Sequence, residues 1–184
     1  LTKAYPVLDL RLRETLTQTL IEDLNERRLD VAVVALPISE PSLIEAPLFD
    51  ERFVLARPPS EAGQPAPSPE LLREMRLLLL EEGHCFRAQA LSFCGAPTNP
   101  PKEIVDANSL STLAQMVSAG FGVTLLPEMA VAVERRAAEV AITRFPAPEP
   151  TRTIGLIWRK SNPLGPQFTE IAQTIRDAAS DNAD

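Results

Sequence analysis

Two proline-rich passages divide this sequence, residues 57–69 (RPPSEAGQPAPSP) and residues 145–150 (FPAPEP). Proline has no backbone N–H and a fixed φ, so neither passage can continue a helix or run through the middle of a sheet. Around them, short apolar runs alternate with stretches whose apolar residues recur at helical spacing. Residues 7–12 (VLDLRL) alternate apolar and polar, which predicts a half-buried strand. Leu16, Leu20, Ile21 and Leu24 fall on one helical face within residues 15–24. The nearly continuous apolar run at residues 29–36 (LDVAVVAL) predicts a strand buried on both faces. Residues 43–55 predict two more strand pieces around a turn at Asp50 and Glu51.

Between the two passages, residues 77–80 (LLLL) predict a buried strand, and residues 85–94 suit a short helix stopped by Gly95. Ser109 is placed to cap a helix over residues 110–119 that Gly120 halts. Residues 123–126 (VTLL) predict a strand, and Pro127 opens a helical stretch to about residue 138. Beyond the second passage come a strand at residues 153–158 and a helix at residues 166–179.

Strand, helix and buried strand in succession predict an α/β fold with a largely parallel sheet. Two crossings in opposite directions predict two Rossmann-like lobes joined by two crossovers. Residues 1–57 with 149–184 make the first lobe and residues 58–148 the second. A cleft between such lobes is where a small effector is expected to bind.

Composition excludes several functions. The chain has 184 residues, enough for a sizeable core, with 45% hydrophobic and 23% charged residues. Its net charge of −7 is the opposite of the Lys/Arg excess that neutralises phosphates, so no nucleic-acid surface is expected here. No apolar run reaches the roughly 18 residues that a spanning helix needs, and no secretory pattern opens the chain. Two cysteines make no disulfide scaffold, and one histidine with two cysteines nine residues apart fits no zinc spacing. The expectation is a cytoplasmic chain without metal or cofactor. In that compartment a disulfide is usually transient, catalytic or sensory.

Those cysteines are Cys85 and Cys94. Cys85 follows Gly83 and His84 at a predicted helix start, where backbone N–H groups and the helix dipole favour a thiolate. His84 and Arg87 could add positive potential. Each residue also has a plainer role: two inert buried thiols, a core histidine, an arginine on a solvated face. Glu81 and Glu82 read as a solvated turn. A helix over residues 85–94 would separate the two Cα atoms by roughly 13.5 Å along its axis and set the side chains on opposite faces. A disulfide needs Cα atoms about 4.4–6.8 Å apart, so such a bond would require the helix to unwind.

Four segments carry a resemblance to a known family: APLFDE (residues 46–51), LLLLEEGHCFRAQALSFC (77–94), NSLSTLAQMVSAGFGVTLLPEMAV (108–131) and PEPTRTIGLIWRKSNPL (148–164). Together they resemble the effector-binding domain of LysR-type transcriptional regulators, a periplasmic-binding-protein-like fold. The GHC…FC segment resembles the peroxide-sensing members of that family. The resemblance implies that hydrogen peroxide oxidises Cys85 and that Cys94 resolves it into a reversible disulfide.

It further implies a peroxide pocket with His84, Arg87, Thr17 and Arg152. The plainer role of Thr17 is a helix cap, and that of Arg152 an exposed or structural ion pair. Another pocket threonine and the first strand of the domain would lie upstream of Leu1, as would a winged helix-turn-helix that binds DNA. Where some members carry an acid after the arginine of this segment, Ala88 stands here. Other implied properties are a homodimer or homotetramer, contact with RNA polymerase, a thiol reductant such as glutaredoxin or thioredoxin, and signalling rather than enzymatic turnover. The rival expectations are an effector domain for a small organic metabolite and a thiol peroxidase.

Overall fold

A computed structural model describes residues 1–2, 4–82, 85–94 and 105–181. Helices and strands alternate along the chain, as expected of the α/β class, and they form two compact units. The first comprises Leu1–Asp50 and Thr153–Asp184, the second Glu51–Arg152.

In the first unit, helix α1 (Thr17–Asn25) presents Leu20, Ile21 and Leu24 to a cluster with Ala32, Val34, Leu43 and Ile157. Strand β1 (Ala32–Leu36) pairs antiparallel with β7 (Thr151–Arg159), Val33 opposite Leu156. Helix α6 (Gly165–Asp181) sets Phe168 against Trp158, ring centroids 5.8 Å apart.

In the second unit, the C-terminal half of β2 (Leu43–Arg57) is flanked by β5 (Thr124–Pro127) and β6 (Ala141–Arg144), both antiparallel. A short α2 (Pro69–Glu74), capped by Ser68, leads to β3 (Leu78–Leu80). Beside β3 lies β4 (Val105–Ala107), parallel to it. Helix α3 (Cys85–Cys94) comes between these two strands in sequence. Helix α4 (Leu110–Ser118) starts at Ser109, whose hydroxyl accepts from the Thr112 N–H at 3.1 Å, and Gly120 at φ 81° ends it. A 3-10 turn at Glu128–Ala130 runs into α5 (Val131–Ala137). One core gathers Phe53, Leu55, Leu78, Leu79, Leu113, Leu125 and Leu126 with Phe86, Ala90 and Leu91 of α3.

Several expectations are corrected. Residues 7–12 form no strand; Val7 is 97% exposed, and an alternating pattern without a ladder partner does not hold a strand. That stretch is bordered by side-chain ties instead, Tyr5 Oη to Thr174 Oγ1 at 2.9 Å and Arg13 to Asp23 at 2.6 Å. The run at residues 29–36 yields an edge strand from residue 32, with Val33 58% exposed, rather than one buried on both faces. Residues 43–57 are one continuous strand with no turn at Asp50 and Glu51, because Glu51 is neutralised where it lies. Among the described residues, parallel pairing is limited to β3 with β4 and a bridge from Leu77 to Val123. The longer strands join segments that return in the opposite direction, so they pair antiparallel.

Candidate functional site

Helix α3 begins at Cys85 and ends at Cys94. Its anchors are apolar: Phe86, Ala90 and Leu91 are buried, and Phe93 meets Phe145 edge-on with centroids 4.9 Å apart. Two arginines hold the first turn. Arg87, only 8% exposed, donates from Nη1 to the Leu80 carbonyl at 2.8 Å and to Asp106 Oδ1 at 2.5 Å. It thus ties α3 to the end of β3 and the middle of β4, and the solvated-face reading of Arg87 is set aside by this burial.

Arg152, in β7, lies over two rings at once, its guanidinium carbon 5.5 Å from the Phe86 centroid and 5.7 Å from that of Phe53. Phe53 and Phe86 themselves meet edge to face at 5.3 Å. A cation held over ring faces away from water gains on the order of 2 kcal/mol. Arg152 also donates to Glu51 Oε2, from Nε at 2.6 Å and from Nη2 at 2.5 Å. Glu51 is 4% exposed, and its other oxygen, Oε1, is buried with no hydrogen-bond partner among the described residues. A dry carboxylate demands a paired cation, and Arg152 is that cation.

Along the outward side of α3, Ala88, Gln89, Ser92 and Phe93 join Phe53, Pro150 and Thr151 around an open cleft of about 380 Å³. The described residues contain no cluster of three or more His, Cys, Asp or Glu able to hold a metal ion. No described helix is long and apolar enough to cross a membrane.

The structure therefore brings Arg87 and Arg152 to the first turn of α3, the turn that starts at Cys85. His84 lies outside the described residues. Thr17 opens α1 in the other unit and is not its cap: Leu16 occupies that position with extended dihedrals and no side-chain capping bond. Sequence reasoning missed Glu51, Phe53 and Asp106. No local signal marked Glu51, which stands in a run of charged residues, Asp50, Glu51 and Arg52, within β2.

The family model for the LysR substrate binding domain matches residues 1–180. This chain belongs to that family. Within the LysR family it is similar to a probable hydrogen peroxide-inducible genes activator from Streptomyces viridosporus, 41% identical over 181 residues and 96% of this chain. It is also similar to the DNA-binding transcriptional dual regulator OxyR of Escherichia coli, 39% identical over 179 residues and 96% of this chain. The chain spans 58% of the length of each of these LysR-type relatives. Among solved structures, a mutant of Corynebacterium glutamicum OxyR with hydrogen peroxide bound superposes with a TM-score of 0.89 at 31% identity, covering 97% of this chain and 58% of that one. The reduced OxyR regulatory domain of Pseudomonas aeruginosa gives 0.79 at 34% identity, covering 97% of this chain and 85% of that one.

Proposed function

We propose that this chain is the redox-sensing regulatory part of a LysR-type transcription regulator that responds to hydrogen peroxide. The Cys85 thiolate attacks one peroxide oxygen; the O–O bond breaks, leaving a sulfenic acid on Cys85 and releasing hydroxide. The Cys94 thiol then attacks the Cys85 sulfur, an S–S bond forms, and the sulfenic oxygen departs as water with the Cys94 proton. Two electrons pass from the cysteine pair to peroxide. A glutaredoxin or thioredoxin returns them, so peroxide is consumed once per signalling cycle and the protein acts as a switch rather than an enzyme.

The observation that carries this reading is the extent of α3, from one cysteine to the other. At about 1.5 Å rise per residue, the helix holds the two Cα atoms roughly 13.5 Å apart along its axis. Closure demands about 4.4–6.8 Å. Disulfide and helix therefore exclude each other, which is the bistable element that a redox switch requires.

In this scheme Cys85 is the peroxide-reactive residue and Cys94 the resolving one. His84, Thr17, Arg87 and Arg152 belong to the peroxide pocket or its support, and no cofactor takes part. DNA and RNA polymerase are reached through a DNA-binding domain outside this chain, in a cytoplasmic homodimer or homotetramer.

The test is one equivalent of hydrogen peroxide on the reduced protein, followed by disulfide mapping by mass spectrometry. The expected product is a Cys85–Cys94 disulfide in the native chain, a trappable sulfenic acid on Cys85 in Cys94→Ser, and no reaction in Cys85→Ser. Two untouched thiols in the native chain overturn the reading, as does sustained peroxide turnover with a thiol reductant, which identifies a peroxidase. The cleft beside α3 favours one second reading, a small organic effector. That reading requires intact thiols and a ligand-induced rise in melting temperature.

A further inference from the structure

We infer that Glu51 is a positioning residue for the switch, acting through Arg152 and Phe86 to keep the first turn of α3 wound. This rests on the proposed redox reading, and the test below separates the two.

The contacts run in one line. Glu51 stands between Asp50 and Arg52 in strand β2 yet is 4% exposed, and one oxygen takes both hydrogen bonds from Arg152 at 2.5–2.6 Å. That grip fixes the guanidinium over Phe86 at 5.5 Å. Phe86 is the second residue of α3, 6% exposed, and is also braced edge-on by Phe53. Without the carboxylate, the arginine keeps only its ring contacts to set against the cost of a buried, unpaired charge. The first turn then loses one wall of the box around Phe86.

Burial of Glu51 with Oε1 unpartnered among the described residues is an arrangement that stability alone disfavours, since apolar residues of similar volume usually do as well as a buried ion pair. A hold on one helical turn gives this pair a purpose. In the switch, Phe86 must leave its box before Cys94 can displace water from the Cys85 sulfenic acid. Glu51 therefore restrains the closing step, whatever a displaced Arg152 does to the attack on peroxide.

The experiment uses Glu51→Gln, which keeps an acceptor and removes the charge, and Glu51→Asp, which keeps the charge and withdraws it by one methylene. Amide hydrogen exchange across residues 86–91 is measured in the thiol state. Sulfenic acid formation is timed in a Cys94→Ser background, and disulfide closure in chains with both cysteines. Both Glu51 variants are expected to exchange at least fivefold faster over residues 86–91 and to close the disulfide faster by a similar factor. Sulfenic acid formation, in whose pocket Arg152 belongs, should slow or stay unchanged and not quicken. A Phe86→Leu variant, which removes the ring, should abolish the effect of Glu51→Gln on exchange. Unchanged exchange in both Glu51 variants overturns the proposal, as does an equal effect on both redox steps or on exchange throughout the chain. If sulfenic acid never forms on Cys85, the redox reading fails, while the exchange result still decides whether Glu51 holds α3.

Discussion

Arg87 and Asp106 meet at 2.5 Å, and the same arginine nitrogen donates to the Leu80 carbonyl at 2.8 Å. A single side chain thus ties the first turn of α3 to β3 and to β4. Arg87→Met keeps the aliphatic stem and removes both bonds. Asp106 is exposed enough to rehydrate, so the main loss is the Leu80 carbonyl, left without its donor. The expected destabilisation is about 1–3 kcal/mol in chemical denaturation, with faster hydrogen exchange over residues 86–91. A variant as stable as the parent would show that the tie contributes nothing.

Gly122 allows no side chain. A Cβ there would stand 2.3 Å from the Arg76 carbonyl oxygen, which accepts a hydrogen bond from the Val123 N–H at 3.0 Å. The obstacle is backbone and cannot rotate away, so Gly122→Ala must push the start of β5 off the neighbouring chain. A loss of about 1–3 kcal/mol is expected, read as a lower melting temperature. Ser109→Ala, which removes the α4 cap and the contact with the Thr112 hydroxyl, should lose about 1 kcal/mol.

Asp23 is the corresponding anchor of the first unit. It is 2% exposed and accepts from Arg13 at 2.6 Å and from Arg28 at 2.7–2.8 Å. Asp23→Asn leaves the shape and removes the charge that both arginines answer. Denaturant titration should show a loss of about 1–3 kcal/mol. Proteolysis should cut more readily near residue 13, where the Asp23 tie holds the arginine. Unaltered stability and cleavage would place the anchoring elsewhere.

Oxidation should be visible in the backbone. If closure of Cys85–Cys94 unwinds α3, peroxide treatment must reduce far-ultraviolet helicity by about one ten-residue helix and deprotect those amides. The Cys94→Ser variant, which cannot close, should keep both signals. Full helicity in a chain with a mapped disulfide would contradict the geometric exclusion.

Much of this was legible in the residues. The spacing of Leu20, Ile21 and Leu24 gave α1, Ser109 and Gly120 bounded α4, and residues 85–94 gave α3. The failures share a cause. Residues 7–12 carry the period of a strand, but a strand exists only with a partner, and period says nothing of partners. Asp50 and Glu51 resemble a turn because charged pairs usually face water. Arg152 arrives about a hundred positions later to neutralise Glu51, and no local pattern encodes that meeting. The tie made by Arg87 was out of reach for the same reason, since its acceptors lie on β3 and β4 rather than on its own helix. β4 and β6, three and four residues long, were too brief to stand out.

The anchors of α3 have an unspent consequence. Phe86 and Leu91 are 6% and 3% exposed, and burying each stabilises the thiol form by about 1.5–3 kcal/mol. A helix that lets go turns a phenyl ring and an isobutyl group toward solvent together, within six residues of one another. Unless they find new cover on the same molecule, the oxidised chain acquires a greasy handle that the reduced chain hides. Dyes that brighten on apolar surfaces, and neighbouring protein faces, would then distinguish the two redox states without touching sulfur.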